Sequence, residues 1–264
     1  MTAVHVTIWD DAGADAPSVV LVHGTMTWGT ACFEAQRTLA RHYRLLVMDR
    51  RGFGESPDID RSDYEVDASD VAELLGDGAH LVGHSYGGVV AMLAAGFRPP
   101  IVRSLTLIEP SAFRLAARDP TVAAALERMR KGVQNLPEDM SAEEYLRLST
   151  EPLGIDMPAP TLLTLRAARS AMRERPSWEA EVPVEPLARA SWPKLVISGT
   201  WENVSSEYRA FAGEPLMACA RITADWIGAN LLRVPGAGHE PHKEQPEFVN
   251  AALRDLWEGR PISR

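Results

Sequence analysis

Residues 79–95 read AHLVGHSYGGVVAMLAA, and no other stretch of the chain says as much about its architecture. A short apolar run precedes Gly83 and a longer one follows Gly87, which is the pattern of a buried strand, a sharp turn and a helix. The two glycines remove side chains that would collide as the strand folds back into the helix. The pattern therefore predicts a strained backbone at Ser85, whose hydroxyl is exposed at the end of a sheet, beside the positive end of a helix.

Composition limits the class of protein. The chain has 264 residues, of which 45% are hydrophobic and 24% charged, as in an ordinary globular protein made of one large domain or of a core with an insertion. Its formal net charge of −9 argues against nucleic acid and against an anionic membrane surface as partners, because both attract cationic surfaces. The two cysteines, Cys32 and Cys219, make neither a disulfide framework nor a metal-binding spacing. We expect Cys32 to be a small buried apolar residue.

The first ten residues alternate like a strand and have neither the basic region nor the apolar core of a signal peptide. No stretch is apolar for long enough to cross a bilayer. We therefore expect a cytoplasmic protein whose partner is a small-molecule substrate. The sequence leaves the oligomeric state open.

Six continuous apolar runs predict strands covered on both faces, as in a parallel sheet. These runs are residues 19–22, 43–48, 79–82, 104–108, 195–198 and 230–234. Segments with helical spacing alternate with them, at residues 32–41, 66–75, 87–97 and 246–257. This alternation predicts an α/β fold with a mostly parallel, doubly wound sheet.

One long segment, residues 111–190, interrupts the alternation. It has no convincing strand, but it has several helical stretches punctuated by prolines. We interpret it as a helical cap inserted between two parts of a core, residues 1–110 and 191–264, over the sheet edge where open parallel sheets bind ligands. Four arginines of this segment are predicted to form the solvated face of one helix: Arg166, Arg169, Arg173 and Arg175.

Four motifs, taken in order, resemble the α/β-hydrolase family over nearly the whole chain except the cap. They are His23-Gly24-Thr25, residues 49–56 (DRRGFGES), residues 83–88 (GHSYGG) and residues 235–239 (PGAGH). Each motif alone is a weak signal, but their order and spacing together are specific. The resemblance implies a cofactor-independent serine hydrolase that cleaves an ester or a lactone through an acyl-enzyme.

Ser85 is the candidate nucleophile, and it needs an adjacent base because a serine hydroxyl is a weak nucleophile at neutral pH. His239 is the candidate base, since it follows the last strand in a glycine-rich loop that can reach across the sheet edge. His242 is the nearest alternative, but it lies past Pro241 at the start of the last helix. These two histidines do not have the spacing of a helical zinc site, so we expect no metal.

The third member of a catalytic triad is a carboxylate that holds the imidazole in the right tautomer. The commonest position in the family falls on Glu202, three residues after Gly199, although the family usually has an aspartate there. A minority of the family uses a glutamate after the preceding strand, and this position falls on Glu109. We favour Glu109, because triads are defined by geometry rather than by chain order.

The resemblance also implies an oxyanion hole made of two backbone N–H groups, from Tyr86 after the nucleophile and from Thr25 after His23-Gly24. Met26 is a possible substitute for Thr25. Four further residues are predicted to line an apolar substrate pocket under the cap, although each could equally be ordinary core: Met26, Trp28, Phe113 and Trp201.

Other functions use the same residues. Carbon–carbon bond hydrolases, aminopeptidases and perhydrolases of this fold also have a nucleophilic serine, and some members are non-catalytic small-molecule receptors. A hydrolase that accepts only a carrier-bound acyl chain is a further alternative. Labelling of Ser85 by a fluorophosphonate distinguishes an enzyme from a receptor.

Overall fold

The computed structural model of the chain describes residues 2–137 and 139–262. Seven strands form one sheet, and they are β1 (Val6–Trp9), β2 (Ser18–Val22), β3 (Arg44–Met48), β4 (Ala79–His84), β5 (Val102–Ile108), β6 (Lys194–Gly199) and β7 (Asn230–Val234). Their order across the sheet is β1-β3-β2-β4-β5-β6-β7. Neighbouring strands are parallel except β1, which runs antiparallel to β3.

The helices are α1 (Gly29–Phe33), α2 (Tyr64–Leu74), α3 (Tyr86–Phe97), α4 (Pro120–Gln134), α5 (Ala142–Leu148), α6 (Leu162–Ala171), α7 (Val184–Arg189), α8 (Ser206–Tyr208), α9 (Glu214–Ile227), α10 (Pro241–Glu244) and α11 (Pro246–Trp257). Short 3-10 segments cover Glu34–Arg41, Pro99–Ile101, Glu151–Leu153 and Ser177–Glu179, and Arg209–Gly213 is a π-helical turn. The longest described helix, α4, has 15 residues, and none of the described helices is long and apolar enough to cross a membrane.

Helices cover the sheet on both faces. On one face, α2, α3 and α9 pack through an apolar cluster that includes Val71, Val90 and Ile227. On the other face, α1 and α11 pack through a cluster that includes Phe33 and Leu253. The predicted α/β fold with a mostly parallel, doubly wound sheet is therefore confirmed, and each predicted strand is present with ends that differ from the apolar runs by at most two residues.

Most of the helix predicted at residues 32–41 is a 3-10 helix rather than an α-helix. The chain makes one short α-helical stretch, α1, and continues as a 3-10 helix over Glu34–Arg41. Phe33 is the residue where the change occurs, because its φ of −114° and ψ of 19° lie outside the α region. Apolar spacing alone does not distinguish these two helix types.

The segment between β5 and β6 carries four α-helices, α4 to α7, and no described strand. Part of it docks on the loop that follows β3. Arg166 donates to the carbonyls of Gly52 and Ser56, and Arg175 pairs with Asp63.

The prediction that these four arginines form the solvated face of one helix is therefore wrong. Helix α6 ends at Ala171, before Arg173 and Arg175, and Arg166 and Arg175 bond to the loop after β3, while Arg169 and Arg173 are exposed. Helical spacing identifies a charged face but not the loop that covers it.

Candidate active site

Ser85 is the single residue between β4, which ends at His84, and α3, which begins at Tyr86. Its φ is 53° and its ψ is −115°, a strained conformation for a residue with a side chain. A Cβ at Gly83 would lie 2.2 Å from the carbonyl oxygen of Gly87, and a Cβ at Gly87 would lie 2.2 Å from that of Val22. Only glycine fits these two positions, so the local sequence forces the turn that presents the Ser85 hydroxyl.

His239 lies in the loop between β7 and α10, and its Nε2 is 3.1 Å from the Oγ of Ser85. His84 contacts this loop, because its Nε2 is 2.9 Å from the carbonyl oxygen of His239. Burial lowers the pKa of His239 to about 3, so the imidazole is neutral at physiological pH. A neutral imidazole within hydrogen-bond distance of a serine hydroxyl can accept its proton.

Glu109 follows β5, has a φ of 45° and is fully buried. Its Oε1 accepts hydrogen bonds from the backbone N–H of Gly199, at 2.6 Å, and from the indole N–H of Trp201, at 3.3 Å. The ring of Trp201 lies 6.1 Å, centroid to centroid, from that of His239. Among the described residues, neither Oε2 of Glu109 nor Nδ1 of His239 has a hydrogen-bond partner, although both atoms are buried.

Glu202 occupies a different environment. It is exposed, and its Oε1 accepts a hydrogen bond of 2.9 Å from the backbone N–H of Gly236. Gly236 belongs to the same loop as His239. The side chain of Glu202 therefore braces the base of this loop from the solvent side, whereas Glu109 is buried beside Trp201 under the sheet edge.

The two residues predicted for an oxyanion hole lie close to the nucleophile. Thr25 and Tyr86 line the same cavity as Ser85 and His239. A Cβ built on Gly24 would lie 3.1 Å from the Cβ of Ser85, so the loop after β2 approaches the nucleophile closely. Tyr86 is the first residue of α3, and its N–H therefore has no acceptor within the helix.

The cavity that contains Ser85 and His239, which we name the catalytic cavity, has a volume of about 310 Å³. Most of its wall is apolar and comes from the cap. Of the four residues predicted to line it, Phe113 does so, and the prediction is wrong for Met26, Trp28 and Trp201. Trp201 is fully buried and its indole N–H donates to Glu109, while Met26 and Trp28 lie in the turn from β2 to α1, outside the lining.

A buried ion cluster under the cavity was not evident in the sequence. The guanidinium of Arg50 donates to Asp67 at 3.0 Å, to Glu174 of the cap at 3.1 Å and to the carbonyl of Gly24 at 3.0 Å. It lies 3.9 Å from the ring centroid of Tyr86. Arg50 thus connects the cap, the loop after β2 and the start of α3. The available signal in the sequence was an arginine two residues after the apolar end of β3.

Replacing Arg50 with methionine is expected to lower the free energy of unfolding by about 3–5 kcal/mol, because two buried carboxylates would lose their cation. Burial already raises the pKa of Asp67 to about 6, which shows how poorly solvated this carboxyl is. Urea unfolding followed by circular dichroism measures the change. Arg173→Met, at an exposed position, is the control and should change stability by less than about 0.5 kcal/mol. Equal stabilities for the two variants would contradict this account.

A second buried cluster joins Cys32, His84 and His242. The Sγ of Cys32 is 3.6 Å from Nδ1 of His84 and 3.5 Å from Nε2 of His242. These three atoms lie within 4.8 Å of one another, so they could hold a metal ion if the thiol lost its proton. Burial raises the pKa of Cys32 to about 12, which favours a thiol hydrogen-bonded to neutral imidazoles. The cluster supports His84, which in turn holds the carbonyl of His239.

The chain is similar to known hydrolases over most of its length. A model described as "Alpha/beta hydrolase family" matches residues 19–252. A pimeloyl-[acyl-carrier protein] methyl ester esterase of Aeromonas salmonicida is 31% identical over 174 residues, which are 65% of this chain and 64% of that protein. Polyketide synthase ThaQ of Burkholderia thailandensis is 28% identical over 246 residues, which are 86% of this chain and 11% of that protein. The chain thus spans less than two thirds of the length of both relatives.

Among solved structures, a thermophilic esterase from Thermogutta terrifontis, with malate bound, superimposes with a TM-score of 0.63 at 26% sequence identity. The superposition covers 97% of this chain and 93% of that one. The similarity therefore extends over the segment between β5 and β6 as well as over the sheet.

Proposed function

Because the chain belongs to the alpha/beta hydrolase family, we propose that it hydrolyses a carboxylic ester through an acyl-enzyme formed on Ser85. The observation that carries the proposal is the 3.1 Å distance between Oγ of Ser85 and Nε2 of His239, beside a cap-covered cavity. The esterases among its relatives support the choice of an ester. The substrate itself is a small molecule whose ester group lies in the catalytic cavity.

In the proposed mechanism, Oγ of Ser85 attacks the ester carbonyl while Nε2 of His239 takes the hydroxyl proton. The backbone N–H groups of Thr25 and Tyr86 stabilise the oxyanion of the tetrahedral intermediate. Collapse of this intermediate breaks the ester C–O bond, and the leaving alkoxide receives the proton from Nε2 of His239. A water molecule, deprotonated by the same nitrogen, then attacks the acyl-enzyme and releases the carboxylic acid and free Ser85.

We assign the third role to Glu109. When Nε2 of His239 accepts a proton, Nδ1 carries the other proton and needs an acceptor. Among the described residues, the unpartnered Oε2 of Glu109 and the unpartnered Nδ1 of His239 match as acceptor and donor, and both side chains lie near Trp201. The assignment requires that the imidazole or the carboxylate rotate until these two atoms come within hydrogen-bond distance, because catalytic hydrogen bonds are often long or poorly aligned in apo structures. Glu202 is already engaged with Gly236 in solvent.

A panel of p-nitrophenyl esters and of lactones tests the proposed reaction class, with Ser85→Ala as the background. We expect hydrolysis of at least one ester that depends on Ser85. Hydrolysis of lactones alone would move the substrate class to cyclic esters with the same mechanism. Binding of these compounds without Ser85-dependent turnover would overturn the proposal in favour of a non-catalytic receptor.

The pH dependence of kcat/KM should show an acid limb with a midpoint near pH 7. Burial raises the pKa of Glu109 to about 7 and lowers the pKa of His239, so acid removes activity by adding a proton to the pair that these two residues form in the mechanism. The value of kcat/KM should therefore rise from pH 5 to pH 8. Initial rates measured across this range provide the check, with Glu202→Gln as the control that retains the limb. A flat profile over the same range contradicts the assignment.

A further inference from the structure

A second cavity, which we name the outer cavity, opens between α4, α5 and the π-helical turn, with a volume of about 610 Å³. Its wall and that of the catalytic cavity share six residues: Met129, Val133, Leu136, Tyr145, Trp178 and Phe211. Ser85 and His239 line the catalytic cavity and not the outer one. The two cavities therefore adjoin each other and share part of their walls.

The outer cavity ends in exposed apolar side chains. Val133, Leu148 and Phe211 are 53%, 47% and 43% exposed, although each lines this cavity. Large apolar side chains grouped at the mouth of a cavity indicate a surface that an apolar ligand covers. The group is continuous with the catalytic cavity through Val133 and Phe211, which line both spaces.

The charges along this path disfavour an ionic terminus deep in the pocket. Of the described lining residues, Arg128 carries the one cation, and its guanidinium donates to the carbonyl of Phe211 and lies 4.5 Å from the ring centroid of the same residue. Two carboxylates line these cavities: Glu174 is held by Arg50, and Glu207, at the outer cavity, accepts a hydrogen bond from the hydroxyl of Ser206. The described wall between Ser85 and the mouth therefore presents mainly apolar surface to a ligand.

We infer that the substrate is an ester of an extended, unbranched acyl chain, whose carbonyl lies at Ser85 and whose distal methylenes occupy the outer cavity. This inference rests on the proposed ester hydrolysis. The chain belongs to the acyl part because the acyl group stays bonded to Ser85 through both half-reactions, whereas the alcohol leaves after the first. A path that begins at Ser85 serves the acyl group throughout. Each methylene that leaves water on binding should raise kcat/KM by about threefold to fourfold until the mouth is reached.

Gly132 offers a matched pair of variants. It lines the outer cavity but not the catalytic one, and a Cβ built on it meets no atom within 4 Å. Gly132→Trp should fill the outer cavity without disturbing Ser85, while Gly132→Ala leaves the cavity open and suits the helix. Neither variant touches the catalytic residues.

The experiment measures kcat/KM for the p-nitrophenyl esters of acetate, butanoate, octanoate and dodecanoate. In the unmodified protein, kcat/KM should rise from acetate to the longer chains. Gly132→Trp should lower the value for dodecanoate by about tenfold or more and leave that for butanoate unchanged, and Gly132→Ala should match the unmodified protein. Leu153→Trp, at another position that lines the outer cavity alone, should give the same chain-length dependence.

Three results overturn the inference while leaving the proposed function intact. One is Ser85-dependent hydrolysis of acetate with no gain from longer acyl chains, and another is an equal loss for short and long esters in both tryptophan variants. A gain for long-chain alkyl acetates in place of long-chain acyl esters also overturns it, since the chain would then lie on the alcohol side. Absence of Ser85-dependent hydrolysis for every ester defeats the proposed function itself.

Discussion

Replacing Ser85 with alanine should lower kcat by about four to six orders of magnitude, the largest effect expected of any single substitution. Alanine has no oxygen to attack the ester, and His239, 3.1 Å from Oγ in the unmodified protein, would have no proton to accept. The backbone donors of the oxyanion hole and the catalytic cavity would remain, so slow attack by water would continue. Initial rates on the best ester of the panel, together with circular dichroism to verify folding, measure the effect.

Ser111→Ala is the matched control. Ser111 lines the same cavity, but its hydroxyl is 2.8 Å from that of Ser177 and faces no imidazole in its described hydrogen bonds. We expect this variant to retain activity within about tenfold. If Ser85→Ala kept most of the activity of a folded protein, or if both serines mattered equally, Ser85 would not be the nucleophile.

Replacing Glu109 with glutamine should lower kcat by up to about four orders of magnitude, because an amide cannot hold the imidazole tautomer or stabilise the imidazolium. The carboxyl is fully buried, and its other oxygen already accepts from Gly199 and Trp201. Glutamine keeps the size of the side chain and one of its oxygens. The loss should therefore appear in kcat with a smaller change in KM.

Glu202→Gln provides the comparison, since this side chain is exposed and accepts from the backbone N–H of Gly236. Its amide oxygen can still accept that bond, so a loss of less than about tenfold is expected. Steady-state kinetics of the two variants on one ester decide between the carboxylates. The reverse order of effects would assign the triad acid to Glu202 and would show that the loop of His239 can turn toward solvent.

Most of the fold could be predicted from the sequence, because buried parallel strands have continuous apolar runs as their sequence pattern. The turn at Ser85 could also be predicted, because it requires particular residues on either side of the serine. Only glycine fits at positions 83 and 87, where an added Cβ would approach a carbonyl oxygen to 2.2 Å, so the constraint is visible in the residues themselves. The motif positions of Ser85 and His239 followed from this local constraint and from the order of the strands.

The remaining parts of the site depend on contacts between segments distant in the sequence. Trp201 looked like a pocket residue, but its indole N–H bonds to Glu109, which is 92 residues away. Arg50 binds Glu174 of the cap across 124 residues, and neither side chain carries a periodic signal of this pairing. Residues at 32–41 have helical spacing, yet the backbone at Phe33 turns them into a 3-10 helix. Such pairings are set by packing between layers, which apolar periodicity does not record.

The choice between Glu109 and Glu202 shows the same limit. Both glutamates follow strands at the carboxyl edge of the sheet, and family positions allow either one. Burial separates them, since Glu109 is enclosed and Glu202 is exposed. Burial at a loop position depends on the neighbouring loops, here that of Trp201, and no single segment encodes it.

Covalent labelling with a fluorophosphonate, followed by peptide mapping, tests most directly whether Ser85 is an activated nucleophile. The reagent phosphonylates a serine hydroxyl only where a nearby base activates it. We expect one phosphonyl group per chain, located on Ser85, with labelling strongly slowed in His239→Ala. A folded, ester-hydrolysing protein that carried the label on another residue, or that reacted equally fast without His239, would contradict the account.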